Sequence, residues 1–207
     1  MYVLDIFSGT GTVSKKAQDL GHTTFTVDID PIHKPDKVYD MLNGIDTELF
    51  LQLDKADFIW LSFPCTTFSM AAGNKHWNAD HTPKTQEAQD GYTLLKIAAR
   101  IADYAEQNGK VFVMENPRAR ARWFLPEDNR YTVWYCQYGY AYAKPTDIWT
   151  NIEGFVPKQC RNNSITCHHV KSPRGSKNSI QGLPLFERYK IPGALITELL
   201  ILGDNDL

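Results

Sequence analysis

Apolar positions in this chain fall into short runs that stop abruptly at polar residues, glycine or proline, most sharply at 2–7, 58–62 and 111–115. Runs of this length and β-rich composition read as strands buried on both faces. Segments 23–28, 132–136 and 146–150 complete the predicted strands. In 84–107 the period changes: Ala88, Tyr92, Leu95, Ala98, Ala99, Ala102 and Ala105 recur at helical spacing. Helices are also predicted at 12–20, 46–53 and 192–202, the last opened by Pro192, whose fixed backbone angle suits a first turn. Strands alternating with helices predict a single α/β domain over 1–207 with a doubly wound, Rossmann-like sheet. Its ligand crevice should lie at the carboxyl ends of the strands.

The chemistry sits where the apolar runs stop. Phe58-Ile59-Trp60-Leu61 leads into Ser62-Phe63-Pro64-Cys65-Thr66-Thr67-Phe68-Ser69. Pro64 fixes the backbone just before the thiol, so Cys65 is presented on a stiff turn, as nucleophilic catalysis requires. A lone Pro-Cys is more often a buried structural thiol, and only the other strand ends tilt the balance. Tyr2-Val3-Leu4-Asp5-Ile6-Phe7 runs into Ser8-Gly9-Thr10-Gly11, a strand-to-helix junction where the backbone can approach a ligand closely. The next strand ends in Asp28, placed to accept hydrogen bonds from vicinal ribose hydroxyls. A third dinucleotide-type glycine and a Gly-Lys-Ser/Thr phosphate loop are both missing, which favours a nucleoside cofactor without a pyrophosphate and disfavours a nicotinamide oxidoreductase. Val111-Phe112-Val113-Met114 ends in Glu115-Asn116-Pro117, and a carboxyl there is either a loop residue or, beside a thiol, an acid.

With 207 residues and 43% hydrophobic content the chain can bury one good core and little else. No run of 18 apolar residues and no amino-terminal signal segment is present, so a soluble, cytosolic protein is expected. The net charge of −2 hides a local excess: between 158 and 190 stand Lys158, Arg161, Lys171, Arg174, Lys177, Arg188 and Lys190 against Glu187 alone. Local basic charge governs attraction to phosphates, so this segment is either a solvated loop or a nucleic-acid contact. Cys160-x6-Cys167-His168-His169 offers four N/S ligands. The spacing is not that of Cys-x2–4-Cys, and adjacent Cys-His-His cannot easily all face one tetrahedral ion. A structural or phosphate-facing loop is expected there, and no metal. Between 71 and 82, Asn74, Lys75, His76 and Trp77 suggest a mobile loop beyond Cys65, unless His76 and Trp77 pack.

Together, Asp5-Ile6-Phe7-Ser8-Gly9-Thr10-Gly11, Phe63-Pro64-Cys65 with Phe68-Ser69, and Glu115-Asn116 resemble the cytosine-C5 DNA methyltransferases in order and spacing. The match is closest to their compact phage-type members and covers residues 1 to about 151. The tail is similar to the same group through Pro173-Arg174-Gly175-Ser176, Glu187-Arg188 and Ile191-Pro192. The resemblance implies an S-adenosylmethionine-dependent methyltransferase acting on a cytosine flipped out of double-stranded DNA. Cys65 would be the nucleophile, Glu115 the acid, Asn116 its positioning partner and Lys144 a nearby charge. Phe7, Gly9, Gly11, Thr12, Ile29 and Pro64 would line the cofactor pocket, with Asp28 on the ribose and Asp40 on the adenine amino group. Ser69, Arg118, Arg161, Lys171, Arg174 and Lys177 would face DNA.

Departures from the family pattern matter. After Gln137-Tyr138-Gly139 the family usually places two arginines, where this chain reads Tyr142-Ala143-Lys144-Pro145-Thr146-Asp147. Lys144 substitutes a point charge for a planar fork, and Asp147 carries the opposite sign. A catalytically impaired relative that binds DNA or cofactor therefore stays open, as does an RNA cytosine methyltransferase of the same fold. Only some 30 residues, 151 to 181, stand where the family carries a target-recognition domain, so a minimal basic loop replaces it. The expected consequence is a short or relaxed target, or specificity supplied by a partner or a second copy of the chain.

Overall fold

The computed structural model describes residues 1–161, 167, 169–171 and 180–207. Seven strands form one sheet: β1 (Tyr2–Ile6), β2 (Thr23–Asp28), β3 (Lys37–Val38), β4 (Phe58–Leu61), β5 (Val111–Pro117), β6 (Arg130–Trp134) and β7 (Pro145–Thr150). Their order is β3-β2-β1-β4-β5-β7-β6. β7 is antiparallel to both β5 and β6, so it alone runs against the rest. The chain winds outward from β1 to β3 and then returns to pair β4 with β1, which creates a topological switch point between them.

Successive side chains of a strand point to opposite faces, so the uninterrupted apolar runs serve two cores at once. Leu4, Ile6, Ile59, Leu61, Phe112 and Met114 face one layer, built from α2 (Thr47–Lys55) and α3 (Gln86–Gln107). Val3, Phe58, Trp60, Val111 and Val113 face the other, built from α1 (Thr12–Asp19) and α5 (Gly193–Asn205). The alanines predicted along 84–107 do lie on the sheet side of α3, where Ala88, Ala98, Ala102 and Ala105 are buried. Asp46 and Thr85 cap α2 and α3 by accepting from Leu49 N at 2.8 Å and Ala88 N at 3.2 Å.

The predicted elements are present with shifted ends. The sixth strand starts at Arg130, not 132, and stops at Trp134, because residues 135–138 coil into a 3-10 turn that ends at Gly139 with φ 85°. β3, with two residues, and α4 (Leu185–Tyr189), with five, were not predicted; neither is long enough to display a period.

The segment after Cys65 is anchored at its centre instead of swinging free. Trp77 donates from Nε1 to the Thr67 carbonyl at 2.8 Å and packs on Phe68 and Phe124, with ring centroids 5.4 and 5.0 Å away. His76 Nδ1 lies 2.8 Å from Thr85 Oγ1. The packing alternative holds for both residues. Among the described residues, no helix is long and apolar enough to cross a membrane.

Candidate active site

A cavity of about 650 Å³ opens at the carboxyl ends of β1, β2, β4 and β5. Its first wall is the turn after β1. Phe7 and Gly9 both have positive φ, 61° and 48°, and Gly11, φ 67°, starts α1. Glycine takes that conformation without cost, whereas an aromatic residue held there stores strain of a kind found at ligand clamps. Asp28 cinches the turn: its Oδ2 accepts from Gly9 N at 2.7 Å and its Oδ1 from Asp30 N at 2.9 Å. A carboxylate has about four acceptor positions, so capacity remains on the cavity side. Thr12, Ile29 and Asp40 line the same wall, whereas Gly11 shapes the turn from outside it. Asp40 Oδ1 also accepts from Leu42 N at 2.9 Å.

Asp5 sits beneath this wall. Its Oδ2 accepts from Ser14 N at 3.2 Å, while the buried Oδ1 has no partner in the protein. Burial raises its pKa to about 7.

Pro64 and Cys65 form the wall after β4. The Cys65 carbonyl accepts from Phe68 N and Ser69 N at 3.1 and 2.9 Å, closing the turn behind the thiol. Opposite stands Glu115 at the end of β5, where Tyr135 donates its hydroxyl to Oε1 at 2.7 Å. Burial raises the Glu115 pKa, opposed by the Lys144 charge and by the Tyr135 hydrogen bond. Burial and the Glu115 charge likewise push the Cys65 thiol up to about 11, with Lys144 opposing. The ammonium of Lys144 lies 4.7 Å over the Tyr135 ring and donates to the Arg188 carbonyl at 2.8 Å. Asn116 stays outside the cavity, donating from Nδ2 to the Phe63 carbonyl at 2.9 Å, so it ties the end of β5 to the Pro-Cys turn.

Asp147 has a structural explanation. It pairs with Arg122 through both carboxylate oxygens, and its Oδ1 also accepts from Thr132 Oγ1 at 2.7 Å. In register it opposes Asn116, whereas Glu115 opposes Ile148, so Asp147 lies on the other face of the sheet from Glu115. Its negative charge is paired with Arg122, and its remaining field adds slightly to the rise in the Glu115 pKa.

Two contributors escaped the sequence reading. Tyr135 follows a strand end as Glu115 does, but nothing local reveals that the two meet. Arg120, buried, donates to the Ser69 carbonyl at 3.0 Å and clamps the Cys turn from behind. Of the residues expected to face DNA, Ser69 lies behind the Cys turn and Arg118 lies 5.9 Å over the Trp134 ring. Arg161 and Lys171 are exposed. Arg174 and Lys177 lie outside the described residues, as do His168 and the 173–176 motif.

The sheet order with a single reversed strand, a glycine turn after β1 and an acid closing β2 define the Rossmann-like fold of S-adenosylmethionine-dependent methyltransferases. A curated relative from Frog virus 3 (isolate Goorha), described as "Probable DNA (cytosine-5)-methyltransferase", is 33% identical over 223 aligned positions, covering 98% of this chain and 100% of the relative. The chain belongs to the DNA (cytosine-5)-methyltransferase family. No protein-family model matches it. Among solved structures it is similar to the S. pombe Dnmt2 methyltransferase, at 12% identity and TM-score 0.48 over 76% of this chain. It is also similar to a triple mutant of Spodoptera frugiperda DNMT2, at 16% identity and TM-score 0.44 over 77%. The chain spans about half the length of those two proteins, 52% and 53%.

Proposed function

We propose that this protein methylates C5 of cytosine in DNA, with Cys65 as covalent nucleophile and S-adenosylmethionine as methyl donor. The observation that carries the reading is that Cys65 and Glu115 line one cavity together with the glycine turn after β1. The cavity residues suit a nucleoside cofactor: Asp28 has spare acceptor capacity for ribose hydroxyls, Asp40 lies along the same wall, and the buried Asp5 Oδ1 lacks a partner. Phe7, Gly9, Thr12, Ile29 and Pro64 would enclose it. When bound, that cofactor supplies an electrophilic methyl group.

The protein's own residues do the rest. Cytosine C5 is a poor nucleophile until C6 is attacked. The Cys65 thiolate forms an S–C6 bond while a proton on Glu115, whose pKa burial raises, passes to N3. The electron pair then residing on C5 takes up the methyl group. Water takes the C5 proton, the C5–H electron pair re-forms the C5–C6 double bond, the S–C6 bond breaks to release the thiolate, and the N3 proton returns to Glu115. Lys144 lowers the cost of the thiolate, and Asn116 and Arg120 hold the Cys turn. Reaching C6 requires the base to leave the duplex stack. Arg161, Lys171, Arg174 and Lys177 would hold the phosphates.

The test is transfer of a tritiated methyl group from S-adenosylmethionine to duplex DNA, followed by nucleoside analysis. The label is expected in 5-methyl-2′-deoxycytidine. Label in adenine, transfer to RNA alone, or binding without transfer would each overturn the reading.

A further inference from the structure

We propose that Cys136, Cys160, Cys167 and His169 form a structural zinc site that staples the basic segment to the edge of the sheet. Their four ligating atoms lie within 4.8 Å of one another. His169 Nδ1 is 3.0 Å from Cys167 Sγ and 3.6 Å from Cys160 Sγ. A tetrahedral ion with bonds of about 2.3 Å to sulfur and 2.0–2.1 Å to nitrogen needs ligand atoms roughly 3.5–3.8 Å apart. The cluster matches that scale before any ion draws it in.

Taken alone, the spacing Cys160-x6-Cys167-His168-His169 argues against a metal, because it demands adjacent ligands. The fold removes that demand. Cys136, in the 3-10 turn after β6, supplies the fourth ligand from the other side of β7, and only Cys167 and His169 come from neighbouring positions. Backbone pairing fixes the chain on both sides of the cluster: Trp134 N donates to the Lys158 carbonyl at 3.0 Å, and Val170 N to the Ala141 carbonyl at 2.8 Å. The ligands are thus set by the sheet edge and not by a flexible loop.

Three thiols and one imidazole select zinc over hard cations, and four protein ligands leave no open position, which marks a structural rather than a catalytic ion. The physical need is plain. The segment between β7 and α4 is too short to build a core, and small modules of that kind are commonly held by metal or disulfide. All four cysteines of the chain are free thiols. A closed zinc would join Cys160 to Cys167 and His169, and Arg161 and Lys171 flank these ligands in the sequence.

The experiment uses the full chain purified under reducing conditions and equilibrated with zinc, then desalted. Elemental analysis should find one zinc per chain in the wild type and in Cys65→Ser, and less than a tenth of that in Cys167→Ser and His169→Ala. Cobalt exchanged into the wild type should show sulfur-to-metal charge transfer and tetrahedral d–d bands, so the result stands even if the ligand variants fold poorly. Chelation should speed proteolysis between Lys158 and Lys171 while leaving S-adenosylmethionine binding within a few-fold. A wild type without metal, a disulfide among these cysteines under the same reducing conditions, iron in place of zinc, or zinc retained when Cys167 and His169 are both replaced would each overturn the proposal.

Discussion

Burial and the neighbouring Glu115 carboxylate hold the Cys65 thiol up at about 11, against an ordinary 9.0, while Lys144 pulls the other way. Because only the thiolate reacts with alkylating agents, Cys65 should react roughly 100-fold more slowly at pH 8 than an ordinary thiol. Its rate should climb about tenfold per pH unit until about pH 11. Glu115→Gln removes a negative neighbour and should move this profile down in pH, and Lys144→Gln should move it up. Iodoacetamide labelling followed by mass spectrometry of the Cys65 peptide measures all three. Glu115→Gln also removes the proton destined for N3, so methyl transfer should fall ~10²-fold or more with cofactor affinity nearly unchanged. An unchanged rate would make Glu115 a strand-end residue only. Cys65, Asp28 and Glu115 were legible because each closes an apolar run, and strand ends converge in this fold. Tyr135, Arg120 and the orphaned Asp5 oxygen were not, since their significance lies in partners from distant elements.

At the level of elements, helix spacing and apolar runs carried most of the architecture, and close packing accounts for what they left out. α5 lies against the sheet so tightly that a Cβ at Gly203 would sit 2.6 Å from the Phe58 ring and 3.0 Å from Val111. Alanine normally gains up to about 1 kcal/mol over glycine within a helix. Here overpacking against a fully buried ring costs about 1–3 kcal/mol and should win. Gly203→Ala is therefore expected to lower the urea midpoint; a raised midpoint would mean that α5 has room to shift. The 71–82 segment teaches the same lesson. Its polar and aromatic composition suggested mobility, but Trp77 finds an aromatic pocket formed by Phe68, Tyr92 and Phe124, which no local window of sequence displays.

Across the whole molecule, charge is divided by task. A chain with net charge −2 concentrates seven basic residues against one acid between 158 and 190. DNA affinity should consequently fall steeply with salt, and Lys171→Ala should reduce the log–log slope by about 0.9 while weakening all sequences alike. A variant that changed sequence preference without changing that slope would place Lys171 on a base edge instead. The shortness of the segment between β7 and α4 is legible in the sequence as a count of residues. The cysteine cluster was not, because Cys136 reaches it only through the fold. The central claim, a covalent Cys65 adduct at cytosine C6, is tested most directly with duplex DNA carrying 5-fluorocytosine. Fluorine at C5 replaces the proton whose loss releases the enzyme. Incubated with S-adenosylmethionine and this DNA, the wild type should run on a denaturing gel as a protein–DNA conjugate joined through the Cys65 peptide, and Cys65→Ser should give none. Methyl transfer to ordinary DNA with no conjugate on the fluorinated substrate, or an equal conjugate from Cys65→Ser, would contradict the account.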